Sequence, residues 1–155
     1  MGSCNDSLAL MMLMGKSGQK APGESMDLEI RILLVEDNLE DAAVTKRVLL
    51  HNKLNNDLII ATSGKEALAA LQNKSKAGLP QLILLDINLP DISGIDLLTR
   101  IKNDDNLREI PVVILTGSNE DQDIQKSYDL GAGSYLVKPI SNNALMLVIE
   151  KLFYP

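Results

Sequence analysis

Asp86 stands at the end of an all-apolar run, Leu82-Ile83-Leu84-Leu85, and is followed by Ile87-Asn88-Leu89-Pro90. Such a run reads as a strand buried on both faces, which carries an ionised carboxylate only at its end, where the chain meets water. Three other apolar runs end in the same way. Ile30 to Val35 runs into Glu36-Asp37, Pro111 to Leu115 into Thr116, and Tyr135-Leu136-Val137 into Lys138-Pro139. In a parallel sheet these exits share one edge, the edge at which such folds bind ligands. Glu36, Asp37 and Asp86 crowded together need a counterion, and Mg²⁺ suits a few hard carboxylate oxygens. The hydroxyl of Thr116 and the amine of Lys138 suit an anion made on Asp86, an aspartyl phosphate with Asp86 as nucleophile. Any one strand-end Asp is more often a helix cap or a loop residue. The set at four exits reverses that preference.

The elements that must position these groups alternate along the chain. Strands are expected at Ile30–Val35, Leu58–Ala61, Gln81–Leu85, Pro111–Leu115 and Ser134–Val137. Between them lie helical segments: Leu39 to His51 after an Asn38 cap, Gly64 to Lys76, a third capped by Ser93 and running through Lys102, and Glu120 to Leu130, stopped by Gly131. Ser141 caps a last helix to about Phe153. Strands alternating with helices imply an α/β, doubly wound, five-stranded parallel sheet with right-handed crossovers. The expected order is 2-1-3-4-5, flavodoxin-like, with the switch point between strands one and three, where Asp37 and Asp86 emerge.

Composition narrows the chemistry further. The 155 residues are 45% hydrophobic and 23% charged, with a net charge of −6, so there is no basic surplus for nucleic acid or a membrane surface. Cys4 is the only cysteine and His51 the only histidine, which excludes an internal disulfide, a Cys-based zinc site and most Ser/Cys-His catalysis. Carboxylate chemistry remains.

The start of the chain differs from the rest. The Met-rich apolar run Leu8 to Met14 is too short to span a bilayer and lacks the positive flank of a signal peptide. Asp6 stands where a myristoylation motif wants Ser or Thr. Residues 1–26 read as a disordered leader or an artefact of start-site choice, since Met26 would serve as a start. The alternative is a short amphipathic segment that docks on a partner or on the domain. The protein is expected in the cytoplasm.

From about Ile30 to Phe153 the sequence resembles a response-regulator receiver domain of the single-domain, CheY-like kind. Five pieces in order carry the resemblance: Ile32-Leu33-Leu34-Val35-Glu36-Asp37-Asn38, Ala61-Thr62-Ser63-Gly64-Lys65-Glu66-Ala67-Leu68, Leu84-Leu85-Asp86-Ile87-Asn88-Leu89-Pro90, Pro111-Val112-Val113-Ile114-Leu115-Thr116-Gly117 and Gly131-Ala132-Gly133-Ser134-Tyr135-Leu136-Val137-Lys138-Pro139. The resemblance implies a receiver over 27–155, a two-component or phosphorelay protein and not an enzyme turning over a separate substrate. Asp86 would accept a phosphoryl group from a sensor histidine kinase or histidine phosphotransfer protein. Asp37 and Asp86 would hold Mg²⁺ with the main-chain carbonyl of Asn88, and Glu36 mainly through water. Thr116 and Lys138 would contact the phosphoryl group, and Tyr135 would be the switch aromatic that turns inward with Thr116. The Lys138–Pro139 bond is commonly cis in such domains. The side chains of Asn88 and Ser118 would flank the hydrolytic water; neither is a strong base, so a phospho-form lasting minutes or longer is expected. The small stand-alone regulators paired with sensor kinases, phytochrome-type ones included, are similar.

Rival readings remain. A small-molecule aspartyl-phosphate phosphotransferase often has a second Asp two residues after the nucleophile, and here that position is Asn88. A flavin-binding domain of this topology wants a Ser/Thr-rich loop where Glu36-Asp37 stand. A degenerate receiver acting only as a binding module would not need the full residue set. His51 reads as a solvated helix-end residue, so the phosphoryl donor is another protein. On the last helix Leu145, Val148, Ile149 and Leu152 form a core stripe, while Met146, Leu147 and Phe153 fall partly off it. That surplus reads either as local cover or as a homodimer or partner surface on the fourth helix–fifth strand–fifth helix side. With the chain ending two residues past that helix, a downstream protein target touching the domain itself is expected.

Overall fold

Apolar runs without a polar member have two faces to bury, and the chain satisfies both with helices on either side of one sheet. The computed structural model describes residues 30–52, 54, 57–72, 75–117 and 121–154; the expected leader over 1–26, and Ser118, lie outside the described residues. The elements are β1 (Arg31–Val35), α1 (Leu39–His51), β2 (Asp57–Ala61), α2 (Gly64–Leu71), β3 (Leu82–Asp86), α3 (Gly94–Lys102), β4 (Val112–Thr116), α4 (Asp121–Asp129), β5 (Ser134–Val137) and α5 (Asn142–Phe153), with a 3₁₀ turn at Lys76–Gly78. The sheet runs β2-β1-β3-β4-β5 and every pairing is parallel, as expected.

Alternation along the strands divides the core. Leu33, Val35, Ile83, Leu85 and Ile114 pack with Ala67, Leu71, Leu97, Leu98 and Ile101 of α2 and α3. Ile32, Leu34, Leu84, Val113 and Leu115 pack on the other face with Ala42, Leu49, Leu145 and Ile149 of α1 and α5. Each of α1, α2, α3 and α5 starts at a side-chain cap: Asn38, Ser63, Ser93 and Ser141 accept from the amides of Asp41, Glu66, Asp96 and Ala144. These caps fix where the loops end and hence how far the strand exits can wander.

Two expectations need correction. The second helix stops at Leu71 and not at Lys76, because Gln72 turns extended and no apolar side chain follows to hold another turn against the sheet. Strands three and four take in Asp86 and Thr116 as their last residues, and Gln81 and Pro111 precede them; proline has no N–H to give the ladder. Strand two lies at the sheet's edge, as the expected order places it, with Ile59 and Ile60 exposed at 45% and 38%. On α5, Met146 and Phe153 pack against the core while Leu147 stays 66% exposed, and Leu152 is only partly buried. Among the described residues, no helix is long and apolar enough to cross a membrane.

Candidate functional site

The ladder continues one residue past the strands, and it sets the site residues in register. The amide of Glu36 donates to Ala61 O at 2.9 Å, that of Ile87 to Leu115 O at 3.1 Å, and that of Lys138 to Thr116 O at 2.7 Å. Asp86 itself pairs with Leu115, so Thr116 stands one step further toward the open edge. The Lys138–Pro139 peptide is cis, as expected. Behind Asp86 the chain comes unusually close: a Cβ on Gly94 would lie 2.5 Å from the Asp86 carbonyl oxygen and 2.6 Å from Ile87 Cα. Only glycine lets the start of α3 sit there, with its amide on Ile87 O at 2.8 Å.

Sequence-derived candidates meet at this edge. Glu36, Asp37 and Asp86 each offer a carboxylate oxygen, all within 4.8 Å of one another. Glu36 and Asp86 are buried at 0% and 3% exposure, whereas Asp37 faces water. The Lys138 ammonium lies 2.6 Å from Glu36 Oε1 and 3.0 Å from Asp86 Oδ2. Asp86 Oδ1 accepts from the amide of Asn88 at 3.0 Å, and Glu36 Oε2 from that of Asn38 at 3.3 Å. The Asn88 side chain is exposed. Thr116 is buried at 5% exposure at the end of β4. Tyr135 does not join the carboxylates. Its ring packs on the core beside α4 and meets Tyr128 edge to face, centroids 6.2 Å apart. His51 is exposed at the far end of α1.

Burial, with hydrogen bonding and repulsion from Asp86, pushes the Glu36 carboxyl up to about 7 although Lys138 pulls the other way. Burial would lower the Lys138 ammonium, but Glu36, Asp86 and Asp41 outweigh it and hold it above the usual lysine range. The Glu36 Oε1 that Lys138 approaches accepts no aligned hydrogen bond, so a fully buried carboxylate oxygen is short of donors. One ammonium does not neutralise this set. The residues therefore fit a hard divalent cation: three carboxylates, one of them on the solvent side, and a buried oxygen left to complete.

Three participants carry weaker sequence signals. Asp41, in the first turn of α1, is a third carboxylate on Lys138 at 3.1 Å, where its place near a helix N-terminus explains it without any site. Gly94 follows the Ser93 cap and reads as an ordinary helix start. Asp91 clamps the amides of Gly64 and Lys65 at 2.8 Å each, which ties the loop after Asp86 to α2.

The chain matches the family described as Response regulator receiver domain over residues 32–150. It is 41% identical over 122 residues to Response regulator Rcp1 of Synechocystis sp., spanning 77% of this chain and 83% of the relative. The solved Mn²⁺-bound form of Rcp1 superposes with a TM-score of 0.66 at 37% identity, covering 81% and 94% of the two chains. The phosphorylated cyanobacterial phytochrome response regulator RcpA superposes at 0.69 with 35% identity, covering 82% and 95%.

Proposed function

The chain belongs to the response regulator receiver family, and we propose that it is a signalling domain that takes a phosphoryl group onto Asp86. The observation that carries this reading is the position of Asp86. It is the last residue of a fully buried strand, with the acids at the end of β1 and the Lys138 ammonium from the end of β5 both beside it. Its relatives include a Mn²⁺-bound form and a phosphorylated form, and the same two demands are legible in this chain's own donor set.

In this reading Asp37, Asp86 and the main-chain carbonyl of Asn88 would hold Mg²⁺, with Glu36 contributing mainly through water. When bound, the cation neutralises charge that develops on the transferring phosphoryl oxygens. An Asp86 carboxylate oxygen attacks phosphorus and forms the new O–P bond. The bond from phosphorus to the donor, a phosphohistidine nitrogen of a sensor kinase or phosphotransfer protein, breaks with its electron pair leaving on the imidazole. Lys138 pairs with a phosphoryl oxygen, held in place by its amide on Thr116 O. Thr116 and Tyr135 then shift together, and the phosphoryl group stabilises that arrangement over the other. Tyr135 is linked through Tyr128 to the face of α4, β5 and α5, where Tyr128, Val137 and Leu147 are exposed at 41%, 36% and 66%. That face is where a downstream protein or a second copy reads the state.

Incubation with acetyl phosphate and Mg²⁺ tests the reading by intact mass. One phosphoryl group is expected on the wild type, none without the metal, and none on Asp86→Asn. Continuous phosphate release from a small ester would instead support the phosphotransferase reading.

A further inference from the structure

The Lys138 ammonium is shared among three carboxylates from three elements: Glu36 past β1 at 2.6 Å, Asp86 at the end of β3 at 3.0 Å, and Asp41 in α1 at 3.1 Å. Glu36 and Asp86 belong to the cluster able to hold a cation, and Asp41 does not. An ammonium has three donors and no acceptor; here it donates to Asp86 at 3.0 Å and Asp41 at 3.1 Å and holds Glu36 as an ion pair. Mg²⁺ and Lys138 therefore compete for two of the same anions. The cation that yields needs somewhere to stay, because the lysine side chain is only 14% exposed and burial disfavours an unpaired charge. Asp41 offers that place. Its side chain is 39% exposed, against 0% for Glu36 and 5% for Asp86, so it stands on the solvent side of the competition. It is also fixed, since its own amide bonds the Asn38 cap at 2.9 Å.

Resting on the reading in which a metal uses Glu36 and Asp86, we propose that Asp41 is a positioning residue that retains Lys138 while the metal takes those carboxylates. Asp41 thus eases cation binding without touching the cation, and it links the first turn of α1 to the occupancy of the site. Loss of the Asp41 charge leaves Lys138 with only the metal's own ligands as partners, so the ammonium competes harder.

Calorimetric titration of the full chain with Mg²⁺ alone tests this on Asp41→Asn, Asp41→Glu, Lys138→Met and the Asp41→Asn/Lys138→Met pair. Asp41→Asn is expected to weaken Mg²⁺ binding about fivefold, near the upper end for a partly exposed ion pair. Asp41→Glu recovers part of the loss. With Lys138→Met in place, Asp41→Asn changes affinity by less than about twofold, because a residue acting through another has no effect once that other is gone. Equal weakening in both backgrounds would make Asp41 an independent charge and overturn the proposal, as would no weakening in the native background. Should Lys138→Met not fold, nitrogen-15 NMR of the Lys138 ammonium decides instead. With Mg²⁺ bound, its signal is slow to exchange in the native chain and broadened in Asp41→Asn; no difference between the two overturns the proposal. No phosphoryl donor is present, so a chain that binds Mg²⁺ as predicted but is never phosphorylated would refute the signalling reading alone.

Discussion

The two sides of Asp86 are built for opposite charges. Toward β1 stand Glu36 and Asp37, one wholly buried and one exposed, a surplus of negative charge that a cation completes. The ends of β4 and β5 supply Thr116 and Lys138, a hydroxyl and an ammonium, the latter reaching Asp86 and Glu36. Both sides hang from the same ladder of backbone bonds, and β5 also carries Tyr135, whose ring meets the exposed Tyr128 of α4. The difference separates priming from reporting. In the proposed reading, the β1 side governs whether a phosphoryl group can be made, and the β5 side governs what its presence changes.

Breaking what the two sides share should have the largest effect. Gly94 brings α3 against the Asp86 backbone with no room for a Cβ. Gly94→Val is expected to lower stability by about 3 kcal/mol through overpacking, read by chemical denaturation, and to remove Mg²⁺ binding and phosphorylation together. An effect on one alone would show that the sides are not positioned in common.

Glu36→Gln sharpens the β1 half. Without metal, burial and the neighbouring Asp86 push the Glu36 carboxyl up to about 7, from an ordinary 4.5. Between those values the folded state binds more protons than the unfolded one. Stability is therefore full below 4.5 and falls as pH rises through 7. In Glu36→Gln that decline should be reduced in metal-free denaturation curves. Mg²⁺ must also displace the Glu36 proton, so native-chain affinity falls as pH drops below about 7. The variant should bind Mg²⁺ on the order of tenfold more weakly and with a flatter pH profile.

Tyr135→Leu addresses the β5 half and should have the smallest effect on the chemistry. Mg²⁺ affinity is expected to stay within about twofold of the native value, because the ring packs on Tyr128 and the core and is not among the carboxylate cluster. Methyl NMR should nevertheless show that Leu147 no longer shifts when beryllofluoride and Mg²⁺ are added. An unchanged Leu147 response would route the signal elsewhere.

Much of this was legible in the sequence, for a physical reason. Glu36, Asp37, Asp86 and Lys138 each end an apolar run, and a run buried on both faces tolerates polar groups only at its exits. Caps at Asn38, Ser93 and Ser141 were legible because a hydroxyl or amide before an apolar helix has a backbone partner to meet. Asp41 was hidden, since an acid in the first turn of a helix is already explained by the helix dipole. Gly94 was hidden because its need lies in the approach of another segment, and the Tyr128–Tyr135 contact because it joins different elements. Strand two's place at the edge followed from the alternating order, but the apolar run alone did not show that Ile59 and Ile60 would be exposed there.

The most direct measurement locates the phosphoryl group itself. Borohydride reduces an aspartyl phosphate to homoserine, so the chain is phosphorylated with acetyl phosphate and Mg²⁺, reduced, digested and mapped by mass spectrometry. Conversion at Asp86 alone, dependent on Mg²⁺, is the predicted result. Conversion at Asp37 or Glu36, or none at Asp86 in a chain that binds Mg²⁺, would contradict it.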